Sequence, residues 1–166
     1  MPQATSQTLS SQMIVVEHVQ ISSNRSFEEV REKLESMLPT LDPGIIAALR
    51  SGDQKYVTDY DENGPKLSIF DCRDHGALLQ IEGRKRNAVQ YEIGNPVTAS
   101  KMTRHKISAA LYAPLRVVLL EDERGGSFFE YDRPSTLFGQ YGDKRVTEVG
   151  RYLDATLDAV LRKAAE

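Results

Sequence analysis

The chain has 166 residues, 40% of them hydrophobic and 27% charged, which suits one globular domain able to bury a single core. Its net charge of −3 lacks the basic surplus that draws a protein to nucleic acid or to an anionic lipid surface, so neither partner is expected. The single cysteine, Cys72, excludes an intrachain disulfide and a multi-cysteine zinc site, and it fits a reducing compartment, here the cytoplasm.

The opening "MPQATSQTLSSQ" has neither a positive stretch nor an apolar one, and the "MIVV" after it is too short for a signal or a membrane span. Residues 1–11 read as a disordered tail and 12–166 as one domain. "MIVVEHVQIS", 13–22, is rich in β-branched residues and reads as the first strand. Ser26 with Glu29 forms a capping box for a helix whose Phe27, Val30, Leu34, Met37 and Leu38 recur at helical spacing until Pro39. "DPGIIAALRSG" reads as a short helix or turn and "YDENGPK" as a loop.

A strand is expected at 67–72, then "HGALLQIEG" as a helical turn or a strand continuation, then the strand "AVQYEIG" at 88–94. "LRVVLLED" and "SFFEYD" form a hairpin through "ERGG", pairing Val117–Glu121 with Phe128–Asp132. Val146, Val149, Leu153, Leu157, Val160 and Leu161 line one face of a C-terminal helix of about five turns. The fold class is α+β, with a mainly antiparallel sheet and both long helices on one face.

The segments "DHGALLQIEG", "YEIGNPVTASKMTRH", "LYAPLRVVLLED" and "FEYDRPSTLFGQYGD" resemble the bacterial domain of unknown function 302, over about residues 13–163. The resemblance implies a TATA-binding-protein-like order of strand, helix, four strands and helix, and a homodimer. It implies no reaction and no catalytic residues, and a fold name carries no argument for DNA binding.

Gly94, Asn95 and Pro96 join a strand to a helix. Gly94 permits an unusual backbone angle, Asn95 accepts from a free amide, and Pro96 suits the first helical position. The same free amides can hold a carboxylate or phosphate. Arg84, Lys85 and Arg86 are candidates for a basic rim beside that corner, and Tyr91 and Tyr112 for the lining of a cleft.

His18 reads as a packed or edge residue, His75 follows Asp74, and His105 is placed to meet the carbonyls that end its helix. Cys72 reads as a buried thiol. No ligand-spaced cluster is present, so no metal and no cofactor is expected. "ERGGS" lacks any nucleotide-binding pattern, and Ser127 and Ser135 lack a nucleophile-elbow context.

Three functions follow from this reading. One is a homodimeric domain binding a small anionic molecule with an apolar body through Asn95, Arg84, Arg86, His75, Tyr91 and Tyr112. Another is an enzyme moving a proton with Asp74 and His75, or with His105. The third is a protein-interaction module.

Overall fold

The structure, a computed structural model, describes residues 7–166. The expected tail therefore falls partly on residues 1–6, outside the described residues. Strand β1 (His18–Ser23) leads into helix α1 (Phe27–Met37). The capping box forms, with the Glu29 amide donating to Ser26 Oγ and the Ser26 amide donating to Glu29 Oε2 at 2.9 Å. Two further helices follow, α2 (Pro43–Ser51) and α3 (Gln54–Asn63). Then come β2 (Ser68–Asp74), the single helical turn α4 (His75–Leu78), β3 (Ala88–Gly94) and α5 (Pro96–Thr103). The hairpin strands β4 (Leu115–Glu121) and β5 (Ser127–Asp132), the short α6 (Pro134–Phe138) and the long α7 (Lys144–Ala165) complete the chain.

The five strands form one antiparallel sheet in the order β1-β5-β4-β3-β2. Alternation along each strand sends Ile21, Val89, Tyr91, Ile93, Leu115, Val117, Leu119, Phe129 and Tyr131 to one face. There they meet Val30 and Leu34 of α1 and Val146, Leu153, Leu157 and Leu161 of α7, so both long helices cover the same side. The hairpin pairs Val117 with Tyr131 and Glu121 with Ser127, and Gly125, at φ +88°, supplies the left-handed turn position. Gly150 lets α6 cross α7 closely, since a Cβ there would lie 3.0 Å from Ser135 Cα.

Three sequence expectations change, and one alternative is decided. β1 begins at His18 rather than Met13, because its partner β5 ends at Asp132 and Pro134 turns the chain away, leaving the Arg133 amide to Glu17 carbonyl bond as the last link. "YDENGPK" is half helix: Tyr60–Asn63 is the last turn of α3, held down by Tyr60, which packs with Ile45 and Val97. "HGALLQIEG" is a helical turn capped by Asp74 and continued as a 3-10 turn over Leu79–Glu82. Cys72 is exposed, because β2 is an edge strand whose second half, Asp71–Asp74, lies open.

Tyr91 is a core residue and lines no cleft. It is fully buried, and its phenol donates to Glu35 Oε1 of α1 at 2.8 Å. Burial, with help from Glu35, pushes its pKa far above the usual 10. Among the described residues no helix is long and apolar enough to cross a membrane.

The Tyr91 phenol ionises near pH 10 in the unfolded chain, whereas the fold retains its proton to higher pH. Its stabilising contribution is therefore whole below pH 10 and is lost as the pH rises from there toward the folded value. Tyr91→Phe should cost about 1 kcal/mol at neutral pH and flatten this alkaline loss. Urea midpoints measured across the alkaline range check both.

Candidate functional site

β3 ends at Gly94, and α5 starts two residues later with Asn95 as its cap. Gly94 does not have a positive φ. A Cβ there would make ordinary contact, 3.4 Å from both Phe70 Cε2 and Pro114 Cβ, so the position has room for a methyl group. Asn95 is buried and its side chain is fully engaged. Oδ1 accepts from the amides of Val97 (2.9 Å) and Thr98 (3.1 Å), while Nδ2 donates to the carbonyls of Pro65 (3.0 Å) and Lys66 (3.3 Å). The first-turn amides thus already have the acceptor that Asn95 was expected to be, and a carboxylate would have to displace it.

Two cavities flank this turn, and Asn95 and Thr98 line both. The first, of about 230 Å3, is largely apolar, with Phe70, Met102, Pro114, Leu115, Phe138 and Leu153 in its wall. The second, of about 530 Å3, is polar and is lined by Lys66, Arg104, His105, Glu62, Glu148 and Tyr152 among others. Two of its cations are already paired, Lys101 with Asp61 at 2.8 Å and Arg145 with Asp143 at 2.7 Å. The Arg145 fork holds the Asp143 carboxyl well below the ordinary carboxylate range. Lys66 and Arg104 make no ion pair among the described residues. Arg104 Nε instead donates to the Ser100 carbonyl at 3.0 Å, closing the end of α5 as His105 was expected to do.

The other expected site residues lie elsewhere. Arg84 and Arg86 precede β3, whose seven residues put roughly 20 Å between them and Asn95. They form no rim there, and Arg86 adjoins a hollow containing Glu121, Asp122 and Glu123. His75 is at that same far end, exposed at the start of α4. The Asp74 carboxylate is committed to the Ala77 amide at 2.9 Å rather than to His75. Of the proton-transfer candidates, His105 lines the polar cavity.

Tyr112 packs edge-on against Phe138, ring centres 6.3 Å apart, and so supports the apolar cavity from behind. His18 is an exposed edge residue whose ring meets Asp132 at 2.9 Å, a hydrogen bond that raises its pKa. Among the described residues no three His, Cys, Asp or Glu side chains gather as metal ligands.

Thr98, Lys66 and Arg104 carried no sequence signal. Leu153 reads as core from its spacing, but spacing does not show that its outer edge faces a void.

An antiparallel sheet backed on one side by two long helices, with a corner at the end of its penultimate strand, defines an α+β domain. The model of the family described as "Domain of unknown function DUF302" matches residues 62–164, more than half of the chain, and the chain belongs to that family. It is similar to an uncharacterized conserved DUF302 protein from Bacillus stearothermophilus, known from a crystal structure. That likeness has a TM-score of 0.65 over 89% of this chain and 97% of that chain, at 17% identity. At that identity the likeness speaks for the fold alone. No curated protein matches the chain.

The geometry of the corner separates its two residues by their roles. Asn95→Ala should cost about 2–3 kcal/mol, as both a cap and two bonds to the 65–66 segment are lost. Gly94→Ala, free of left-handed strain, should stay within about 1 kcal/mol of the parent. Urea denaturation of the two variants checks the contrast.

Proposed function

We propose that this chain is a small-molecule-binding domain whose ligand places an apolar body in the cavity beside α5. The observation that carries the reading is the apolar cavity itself, about 230 Å3 and lined by Phe70, Met102, Leu115, Phe138 and Leu153. An apolar cavity of about 150 Å3 accommodates benzene, so this one suits a single ring or a branched alkyl group. The cations near α5 that make no ion pair among the described residues are Lys66 and Arg104, which line the polar cavity, rather than Arg84 and Arg86. The proton-transfer alternative draws less support through Asp74 and His75, because Asp74 is occupied as a cap and His75 stands away from both cavities, and it falls to His105, which lines the polar one.

A second reading, association with another copy of this chain, is favoured by the segment before β1. Leu9, Met13 and Val15 are 94%, 94% and 91% exposed, and they adjoin β1, an edge strand. Apolar side chains beside an open edge are stabilised by covering, and an isologous pairing of two such edges closes without further growth. This supports a homodimer.

Calorimetric titration with benzoate and hexanoate tests the first reading. The parent should bind, and Ala99→Leu, which fills the apolar cavity, should weaken binding by about tenfold or more without lowering Tm. Equal binding by both proteins would refute the site. Light scattering tests the second: the full chain should have twice the monomer mass at micromolar concentration, and the pair Met13→Asp with Val15→Asp should restore the monomer. A monomeric parent would end that reading.

A further inference from the structure

Among the described residues, no aspartate, glutamate, lysine, arginine or histidine lines the apolar cavity beside α5. A charged ligand group would find no counter-charge in that wall. The polar side chains there are those of Asn95, Thr98, Ser100 and Thr103. All but Thr98 are committed. The Asn95 carboxamide spends its bonds within the corner, Ser100 Oγ donates to the Val97 carbonyl at 2.6 Å, and Thr103 Oγ1 donates to the Ala99 carbonyl at 3.2 Å.

Thr98 is only 6% exposed, yet its hydroxyl has no hydrogen-bond partner among the described residues. A helical threonine hydroxyl commonly bonds to the carbonyl four residues back, as those of Thr103, Thr147 and Thr156 do. Four residues before Thr98 stands Gly94, which belongs to β3 and not to α5. Nor is the Thr98 hydroxyl sealed in the way that the Tyr60 hydroxyl is, which is buried without a partner. Thr98 also borders the polar cavity. In the apolar cavity, however, its proton is the side-chain donor left over, so an oxygen on a ligand there has one group to meet.

We propose that the ligand of this cavity is uncharged: a single ring or short branched chain bearing one hydroxyl or carbonyl oxygen, which accepts a hydrogen bond from Thr98 Oγ1. This rests on the reading of the apolar cavity as a ligand site, and it replaces the anionic ligand expected from the sequence. A carboxylate or ammonium set against this wall would lose hydration and gain no partner charge. The volume of about 230 Å3 leaves room for a small substituent beyond the ring that about 150 Å3 accommodates.

The test titrates the full chain calorimetrically with benzyl alcohol, benzoate, benzylammonium and toluene, which share the ring and differ in the group it carries. Benzyl alcohol should bind at least about tenfold more tightly than benzoate or benzylammonium. Thr98→Val, which keeps the shape of the side chain and removes the hydroxyl, should weaken benzyl alcohol by about fivefold to tenfold and leave toluene unchanged. Thr98→Ser, which keeps the hydroxyl, should restore benzyl alcohol. Ala99→Leu should weaken benzyl alcohol and toluene alike, which ties both to the apolar cavity and not to the polar one. The Tm of each variant separates loss of binding from loss of fold.

Benzoate or benzylammonium binding as tightly as benzyl alcohol, with the same loss in Ala99→Leu, would overturn the uncharged assignment and leave the cavity reading standing. Benzyl alcohol binding that Thr98→Val does not weaken would overturn Thr98 as the anchor and likewise leave the cavity. Failure of all four compounds to bind would overturn both together.

Discussion

Four hydrogen bonds from one buried amide hold the corner on which the candidate site depends. The Asn95 carboxamide accepts from two amides of the first turn of α5 and donates to two carbonyls of the segment joining α3 to β2. It therefore fixes the direction of α5 relative to the sheet and the distance of the 65–66 segment from it. An apolar residue at this position would leave both the amides and the carbonyls unsatisfied in a partly buried place. With these bonds made, Val97 turns toward Ile45 and Tyr60, and Met102 turns into the main core. α5 is thereby the element shared by the sheet's core and the smaller cluster under α2 and α3.

The two cavities are consequences of that placement. α5 has eight residues and stands at the end of β3, where Leu153 of α7 and Phe138, the last residue of α6, come up to the same space. Large side chains close this space on several sides without filling it. On the other side of α5, the Lys101–Asp61 pair ties the helix to α3, and the Arg145–Asp143 pair ties down the start of α7. These pairs consume charge locally, so the functional character of the polar cavity is set by the groups they leave over. Exposed pairs of this kind add little stability, but they determine which side chains are available to a ligand.

The opposite end of the sheet is built differently. The Asp74 cap, the 3-10 turn after α4 and the basic run before β3 make a solvated connection between two strands, with no cavity that joins them to Asn95. Histidine, aspartate and arginine side chains that look suggestive as neighbours in sequence are here turn-forming and solvent-facing. Both sheet edges also bear polar protection, with Asp71 paired to Arg73 on β2 and Asp132 paired to His18 on β1. The apolar residues before β1 stand out against that pattern.

Local chemistry made much of the fold legible in advance. The capping box at Ser26, the alternation of Val89, Tyr91 and Ile93, the glycine-bearing hairpin turn and the apolar stripe of α7 each depend on residues close in sequence, and each took the expected form. The one-sided arrangement of helices follows from the same stripes, since every strand presents one apolar set. Tertiary structure decided the rest, because it depends on distances between segments far apart in the chain. A strand of seven residues removed Arg84 and Arg86 from the corner, burial under α1 turned Tyr91 from a lining residue into a core residue, and the end of β5 shortened β1.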